Sequence, residues 1–330
     1  MRAVVLQSDR TLIVKQVPSP QLLPGSAIVE VLAVQVANFA TDVISGALKY
    51  PHGQPPVVLG PSAVGKVLHV AEDVRDVHPG DIVYCDPMVG SHSNNGRHDC
   101  ILQGWSAHEP DSLETQEKYR NGAFAERFVT PAACLTIIRK PELHSMAQWA
   151  TLIYFSVAHG AILRGEIKAG QVLAMGRNTA ALSRLVVLDP ARVVPVVLRP
   201  DEALLTVLKV ALKQHEVDVA LDIVGHADTP NIALACLNCL KRNGILVLDG
   251  SMDCPLPIPY GWVVRKNLEI RGAYMSSRST PQTLVQLVES KVLNFDQLEV
   301  KGFPLDTITE CVKQARMASA LQFMVLEPNK

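Results

Sequence analysis

Residues 168–188, KAGQVLAMGRNTAALSRLVVL, read as a buried strand that runs through Gly176 directly into a helix. A strand, a tight turn and a helix N-terminus form the seat of a dinucleotide pyrophosphate, because free backbone N–H groups and the helix dipole meet the phosphate charge there. The usual G-x-G-x-x-G supplies further glycines so that the backbone can approach the phosphates. Here Gly176 is followed by Arg177, Asn178, Thr179, Ala180 and Ala181. A non-Gly residue forced to positive φ costs about 1–2 kcal/mol, and losing close contact with a helix N-terminus forfeits up to about 2 kcal/mol more. At about 1.4 kcal/mol per tenfold, such a loss weakens cofactor binding by roughly thirty- to a thousand-fold. Against this, Arg177, Asn178 and Thr179 offer a cation and two side-chain donors in place of backbone contacts.

Other residue clusters carry less chemistry. Cys236 and Cys239 form a lone C-x-x-C in IALACLNCLKRNG, which reads as a helix ended by Gly244. With no second pair nearby, packed helix residues are the better reading than a metal or redox site. The seven cysteines are odd in number and scattered, which argues for free thiols. His92, His98 and His108 cluster on a polar stretch and read as solvated loop. His159, beside Phe155 and Val157 in a helical run, reads as a satisfied helix residue.

The elements that must position these groups fall into two textures. Residues 1–90 hold short Val, Ile and Leu runs broken by Pro and Gly, the pattern of an all-β, barrel-like unit. Residues 88–122 are polar with weak periodicity and read as a surface excursion. From about residue 145 helical and strand patterns alternate, starting with SMAQWATLIYFSVAHGAILRG as one helix. Repeated β and α units with continuous apolar strands mean a parallel sheet covered on both faces. The tail VKGFPLDTITECVKQARMASALQFMVLEP reads as strand, helix, strand, and is expected to return to the first domain.

The chain has 330 residues, 48% hydrophobic and 19% charged, with a formal net charge of −1. That is an ordinary soluble composition for about two domains, without the basic footprint that nucleic acid or an anionic membrane requires. Residues 1–15 are too interrupted by charge for a signal peptide, and no run approaches about 18 apolar residues, so a cytoplasmic protein is expected.

Five segments in order, VHPGDIVYCDP (77–87), NGAFAERFVTP (121–131), KAGQVLAMG (168–176), VDVALDIVG (217–225) and LKRNGILVLDG (240–250), resemble the medium-chain dehydrogenase/reductase superfamily along the whole chain. The resemblance implies an α/β protein: a GroES-like β-rich domain over 1–149 with a surface lobe at 88–122, a doubly wound Rossmann-like sheet over 150–290, and a tail, 291–330. Within that superfamily the chain resembles the zinc-free alcohol dehydrogenase-like and quinone oxidoreductase-like branch. Zinc-dependent members carry a Cys two residues before a Thr/Ser-Asp pair and a Gly-His-Glu. Here NFATD and LGPSAVG put Phe39, Pro61 and Ser62 at those places, TLIYFS offers no third ligand, and the lobe has only Cys100 where a structural zinc needs four cysteines. No zinc is therefore expected.

A zinc-free member would transfer hydride from NADPH to a polarised carbonyl or enone, with a hydroxyl returning the proton. Thr41 matches the family's proton-relaying hydroxyl, and Tyr50, Ser62 and Tyr154 are further donor candidates on loops expected to border the cleft. Trp105, Tyr260 and Trp262 are candidates to shape an apolar pocket, with core packing the commoner use of such aromatics. Cofactor candidates are Gly176, Arg177, Asn178 and Thr179, then Gly225 and His226, Gly250 and Ser251, and Arg278. Arg199 stands where NAD-specific members have an acid, which suits a 2′-phosphate, although an exposed loop Arg is the equal alternative. The leading expectation is a zinc-independent, NADPH-preferring oxidoreductase acting on a small or medium apolar carbonyl, enone or alcohol. The rival keeps the fold without the redox chemistry, as a lyase, isomerase, cyclase or non-catalytic binding protein. The apolar strand near 262–274 resembles the edge through which family members pair, so a homodimer is among the expectations.

Overall fold

Short β-branched runs in the first part of the chain form strands because their side chains fill a pleated, buried surface. The computed structural model describes residues 1–47, 55–90, 100–107, 112–166, 170, 172–176, 191–197, 208, 212, 216–224, 228–250, 254–319 and 321–330. β1 (Arg2–Leu6) pairs antiparallel with β2 (Leu12–Gln16). β3 (Ser26–Val36), SAIVEVLAVQV, is buried at all but two positions, as a strand covered on both faces must be. It leads through Asn38 into α1 (Ala40–Ser45), which Gly46 ends at φ 79°. β4 (Val57–Val58) joins β1, and β5 (Ala63–Val70) and β6 (Ile82–Cys85) extend the sheet of β3.

The 88–122 lobe has its own structure. β7 (Met88–Gly90), β8 (Cys100–Leu102) and β9 (Ser106–Ala107) make a three-stranded sheet, followed by α2 (Leu113–Lys118). Val89, Ile101 and Tyr119 form a small buried cluster. The polar residues around them hide this core from a periodicity reading. β10 (Arg127–Pro131) pairs with β3 and β11 (Leu135–Ile137) with β6. The expected single helix from residue 145 is two. α3 (Met146–Trp149) starts with a Ser145–Gln148 capping box, and α4 (Leu152–Arg164) follows after Thr151 bonds back to the Gln148 carbonyl. This run is long and apolar enough to cross a membrane by composition, but its Trp149 and Leu152 are wholly buried in protein.

β12 (Val172–Gly176), β13 (Val193–Val197) and β14 (Val217–Asp222) begin a parallel sheet. α5 (Asn231–Asn238) ends before Cys239, and β15 (Leu240–Leu248) runs straight through Gly244. The helix expected to reach Gly244 therefore stops at Asn238, and its last stretch from Leu240 is strand. Leu240 pairs with Val217 and Ile245 with Val219, so the KRNG stretch bulges, with Asn243 at φ 64°. The expected strand at 262–274 is instead α6 (Tyr260–Lys266), ended by left-handed Asn267, and the short β16 (Glu269–Gly272). Trp262 and Val263 turn inward from that helix onto the core. α7 (Thr280–Glu289), β17 (Glu299–Phe303), α8 (Ile308–Met317) and β18 (Gln322–Leu326) complete the chain. In α8 the buried Ile308, Cys311, Val312 and Ala315 keep helical spacing.

The chain divides into two units, Met1–Phe155 with Pro281–Lys330, and Ser156–Thr280. The first holds the mixed sheet β11-β6-β5-β3-β18-β17, with β10 also on β3. Its core centres on Trp149 and Phe295, packed edge to face at 5.8 Å. The second unit is the parallel sheet β13-β12-β14-β15-β16. One face buries Leu173, Met175, Ala220 and Leu246, the other Val172, Val219, Leu221 and Val247. This is the expected α/β architecture, with a β-rich domain and a doubly wound sheet.

Three glycines hold the lobe against the barrel. A Cβ on Gly122 would stand 2.3 Å from the Gly60 carbonyl oxygen, and one on Gly104 would stand 2.4 Å from Gly122 Cα. The contacted atoms are backbone, so neither can yield cheaply. Gly122→Ala is expected to cost about 1–3 kcal/mol, the usual penalty of overpacking, read as a lowered midpoint in chemical denaturation of the full chain. An unchanged midpoint would show that the three segments separate without cost.

Candidate functional site

In the first unit the chemistry collects where β3 ends. Gln35, 5% exposed, donates through Nε2 to the Val36 carbonyl at 2.6 Å and to the Tyr154 hydroxyl at 3.3 Å. The Val36 carbonyl fixes which end of the amide faces Tyr154. The Tyr154 ring meets Phe323 at 5.2 Å. Burial raises the phenol above its ordinary value, against the lowering effect of the nearby polar groups of Asn38 and Gln35. It therefore stays protonated at neutral pH. One residue beyond Asn38, Phe39 packs its ring edge to face on Trp105 at 5.9 Å. Thr41 lies in the first turn of α1, half-buried, with Asp42 beside it at the end of the helix that favours an acid.

The structure thus brings Tyr154 to the segment that carries Phe39 and Thr41, with Gln35 as an additional member. Ser62 is 4% exposed and gives its hydroxyl to the Cys85 carbonyl at 3.1 Å. Tyr50 lies outside the described residues. Zinc needs imidazole, thiolate or carboxylate donors. Phe39 and Pro61 have no donor atom, and the Ser62 hydroxyl is already engaged. Among the described residues no three His, Cys, Asp or Glu side chains form a group that could hold a metal. The residues at these positions do not fit the ion. His92, His98 and His108 lie outside the described residues.

In the second unit the strand order reverses between β12 and β14, which is where an open parallel sheet leaves a crevice at the carboxyl ends of its strands. Gly176 is the last residue of β12 and pairs with Val197. Gly250 follows β15, and a Cβ there would stand 2.4 Å from the Val224 carbonyl oxygen. Only a glycine lets those two loops approach so closely. Arg278 is exposed in a serine-rich turn, where Ser277 Oγ lies 3.1 Å from Thr280 Oγ1 and that atom 3.1 Å from His159 Nδ1. Burial lowers the His159 pKa, so the imidazole is neutral near pH 7. Arg177, Asn178, Thr179, Arg199, Gly225, His226 and Ser251 lie outside the described residues.

Two carboxyls at the same strand ends escape sequence reasoning. Asp222 closes β14, 8% exposed, and accepts the Val224 N–H at 3.2 Å. Asp249 follows β15, and burial, then the Asp222 charge, pushes it to about 7. The signal was present as an Asp ending each apolar run, in VALDIVG and LVLDG. The C-x-x-C is chemically quiet, because burial raises both the Cys236 and Cys239 thiols.

Residues 23–142 match the model of the alcohol dehydrogenase GroES-like domain. A probable zinc-binding alcohol dehydrogenase of Mycobacterium tuberculosis is 26% identical, aligned over 97% of this chain and 86% of its own length. Among solved structures, the alcohol dehydrogenase TADH from Thermus sp. ATN1 superposes with TM-score 0.79 at 20% identity over 100% of both chains. A zinc-binding dehydrogenase from Sinorhizobium meliloti 1021 bound to NADP gives TM-score 0.74 at 18% identity over 99% of each. Residues 23–142 thus resemble a GroES-like domain, and the chain as a whole has the fold of the alcohol dehydrogenases on which it superposes.

Proposed function

We propose that this protein is a zinc-independent, NADPH-preferring oxidoreductase of alcohol dehydrogenase type, acting on a small or medium apolar carbonyl, enone or alcohol. The observation that carries the redox reading is the reversal of strand order between β12 and β14, with Gly176 and Gly250 at its carboxyl edge. Gly176 ends β12 at the strand end where a dinucleotide's phosphates approach in this fold, and Gly250 lets the loop after β15 pack against Val224 beside it. When bound, NADPH supplies the hydride. Arg177, Asn178 and Thr179 would hold the pyrophosphate in place of the missing glycines, Arg199 would meet the 2′-phosphate, and Gly225, His226, Gly250, Ser251 and Arg278 would serve the remainder. The second unit is the dinucleotide domain and the first the substrate domain, where Thr41, Tyr50, Ser62 and Tyr154 are the hydroxyl candidates. We place the protein in the cytoplasm, with a homodimer as its assembly.

Zinc independence rests on Phe39, Pro61 and Ser62, since an aromatic pair fills the place of the first ligand. A second reading has its own support. Asp222 and Asp249 end adjacent strands at the crevice, and their charge opposes an anionic pyrophosphate. With only one glycine in the turn, a non-redox enzyme or a binding protein on this fold is the alternative.

Cofactor choice tests the leading reading. NADPH is expected to bind at least about tenfold more tightly than NADH, and Arg199→Ala to erase most of that difference, because a charge-assisted phosphate contact contributes about 1.5–3 kcal/mol. Equal affinity in the natural chain would make Arg199 a surface residue only. Elemental analysis of the purified protein should find no stoichiometric zinc, and a strong chelator should leave its thermal unfolding unchanged. One zinc per chain would refute the metal-free reading.

A further inference from the structure

β17 is the last strand of the mixed sheet and is bonded on one side to β18. Among the described residues no strand pairs with its other side. Glu299 gives its N–H to the Leu321 carbonyl, and the Phe303 carbonyl accepts the Glu327 N–H. Residues that bond the neighbour alternate along a parallel ladder, so Val300 and Gly302 turn their N–H and C=O groups outward. Such an edge invites another strand unless something blunts it. The strand reads EVKGF, without proline, and places Glu299 and Lys301 on one face. A lone lysine on an edge repels its own copy, but a glutamate two residues before it gives that lysine an opposite charge to meet. Both side chains are exposed, and they line an open groove of about 440 Å³ with Gln314 and Met317, the last 77% exposed.

We propose that β17 is where two copies of this chain meet, the strands pairing antiparallel about a twofold axis at Val300. This deepens the homodimer proposed above, on which it rests, and is independent of the cofactor reading. At the axis each Val300 gives its N–H to the other's carbonyl. On either side Glu299 then stands directly opposite the partner's Lys301. These flanking positions are the non-hydrogen-bonded pairs of an antiparallel ladder, with Cα atoms about 4.5 Å apart, so opposite charges meet twice in one interface. Charge selects the register. An axis at Lys301 or at Glu299 would set two like charges directly opposite one another, which is destabilising. Within one copy both charges are held ready, since Lys301 Nζ donates to Gln314 Oε1 at 2.8 Å and Glu299 Oε2 accepts from Gln322 Nε2 at 2.7 Å. A twofold pairing uses the same patch on both copies and closes at two chains.

Charge exchange tests the register. The readout is sedimentation velocity of the full chain, fluorescently labelled at a C-terminal extension and diluted until the natural dimer half dissociates. Lys301→Glu and Glu299→Lys each set like charges opposite one another, and each is expected to raise the dimer dissociation constant about tenfold or more. An equimolar mixture of those two variants restores opposite charges at both places, and so does the double variant Glu299→Lys with Lys301→Glu. Both are expected to dimerise within about threefold of the natural chain. The Gln314 and Gln322 amides can serve either charge, and thermal unfolding followed by circular dichroism checks that every variant folds. Folded single variants that dimerise as the natural chain does overturn the inference and leave the homodimer to another edge. A mixture and a double variant that fail to recover overturn it too. A natural chain that stays monomeric removes the homodimer and this interface together, without bearing on NADPH binding.

Discussion

β3 is an eleven-residue strand hydrogen-bonded to β5, β10 and β18, and the placement of Gln35, Phe39 and Thr41 depends on where it ends. Backbone partners on both sides leave it no freedom of register, since a slip of one residue would turn its buried side chains outward. Val325 of the returning tail pairs directly with Gln35. The tail therefore does more than close a barrel. It fixes the strand position from which an amide side chain reaches Tyr154, and it brings in Phe323, on which the Tyr154 ring rests. Beyond Val36 the chain is already aimed, so Asn38, Phe39 and Thr41 follow in set positions.

Opposing tendencies meet in the second unit. Parallel-strand topology reverses at β12 and β14, where such sheets leave a crevice at the carboxyl ends, and Gly250 keeps the loop after β15 close to Val224 there. Asp222 and Asp249 place acids at the same edge, one buried, the other raised to about 7 by burial and by its neighbour. Near neutral pH that pair carries less negative charge than two free carboxylates, which lessens its opposition to phosphate.

Much of the architecture is legible in the sequence because apolar periodicity reports burial directly. VLAMG, VVPVV and VALD read as strands and form the parallel sheet in the expected order. The readings that failed share a cause. LKRNGILVL looks helical at its start because a bulge at KRNG breaks the strand pattern, and the short β16 is masked by the apolar face of the preceding helix. Gln35 carries no sequence signal, since a glutamine within a buried strand is recognisable only once its partner across 119 residues is known. Ser62 illustrates the converse: a hydroxyl near a motif looks available until the Cys85 carbonyl is seen to take it.

The central claim is that one glycine and three polar residues still seat a nicotinamide cofactor. Fluorescence titration of NADPH tests it directly, on the natural chain and on one in which Arg177, Asn178 and Thr179 are replaced by a longer glycine-rich turn. Saturable binding to the natural chain, tightened about tenfold or more in the graft as about 1.4 kcal/mol of backbone contact returns, is the predicted result. A natural chain and a well-folded graft that both ignore NADPH would contradict the claim and leave a non-redox role on this fold.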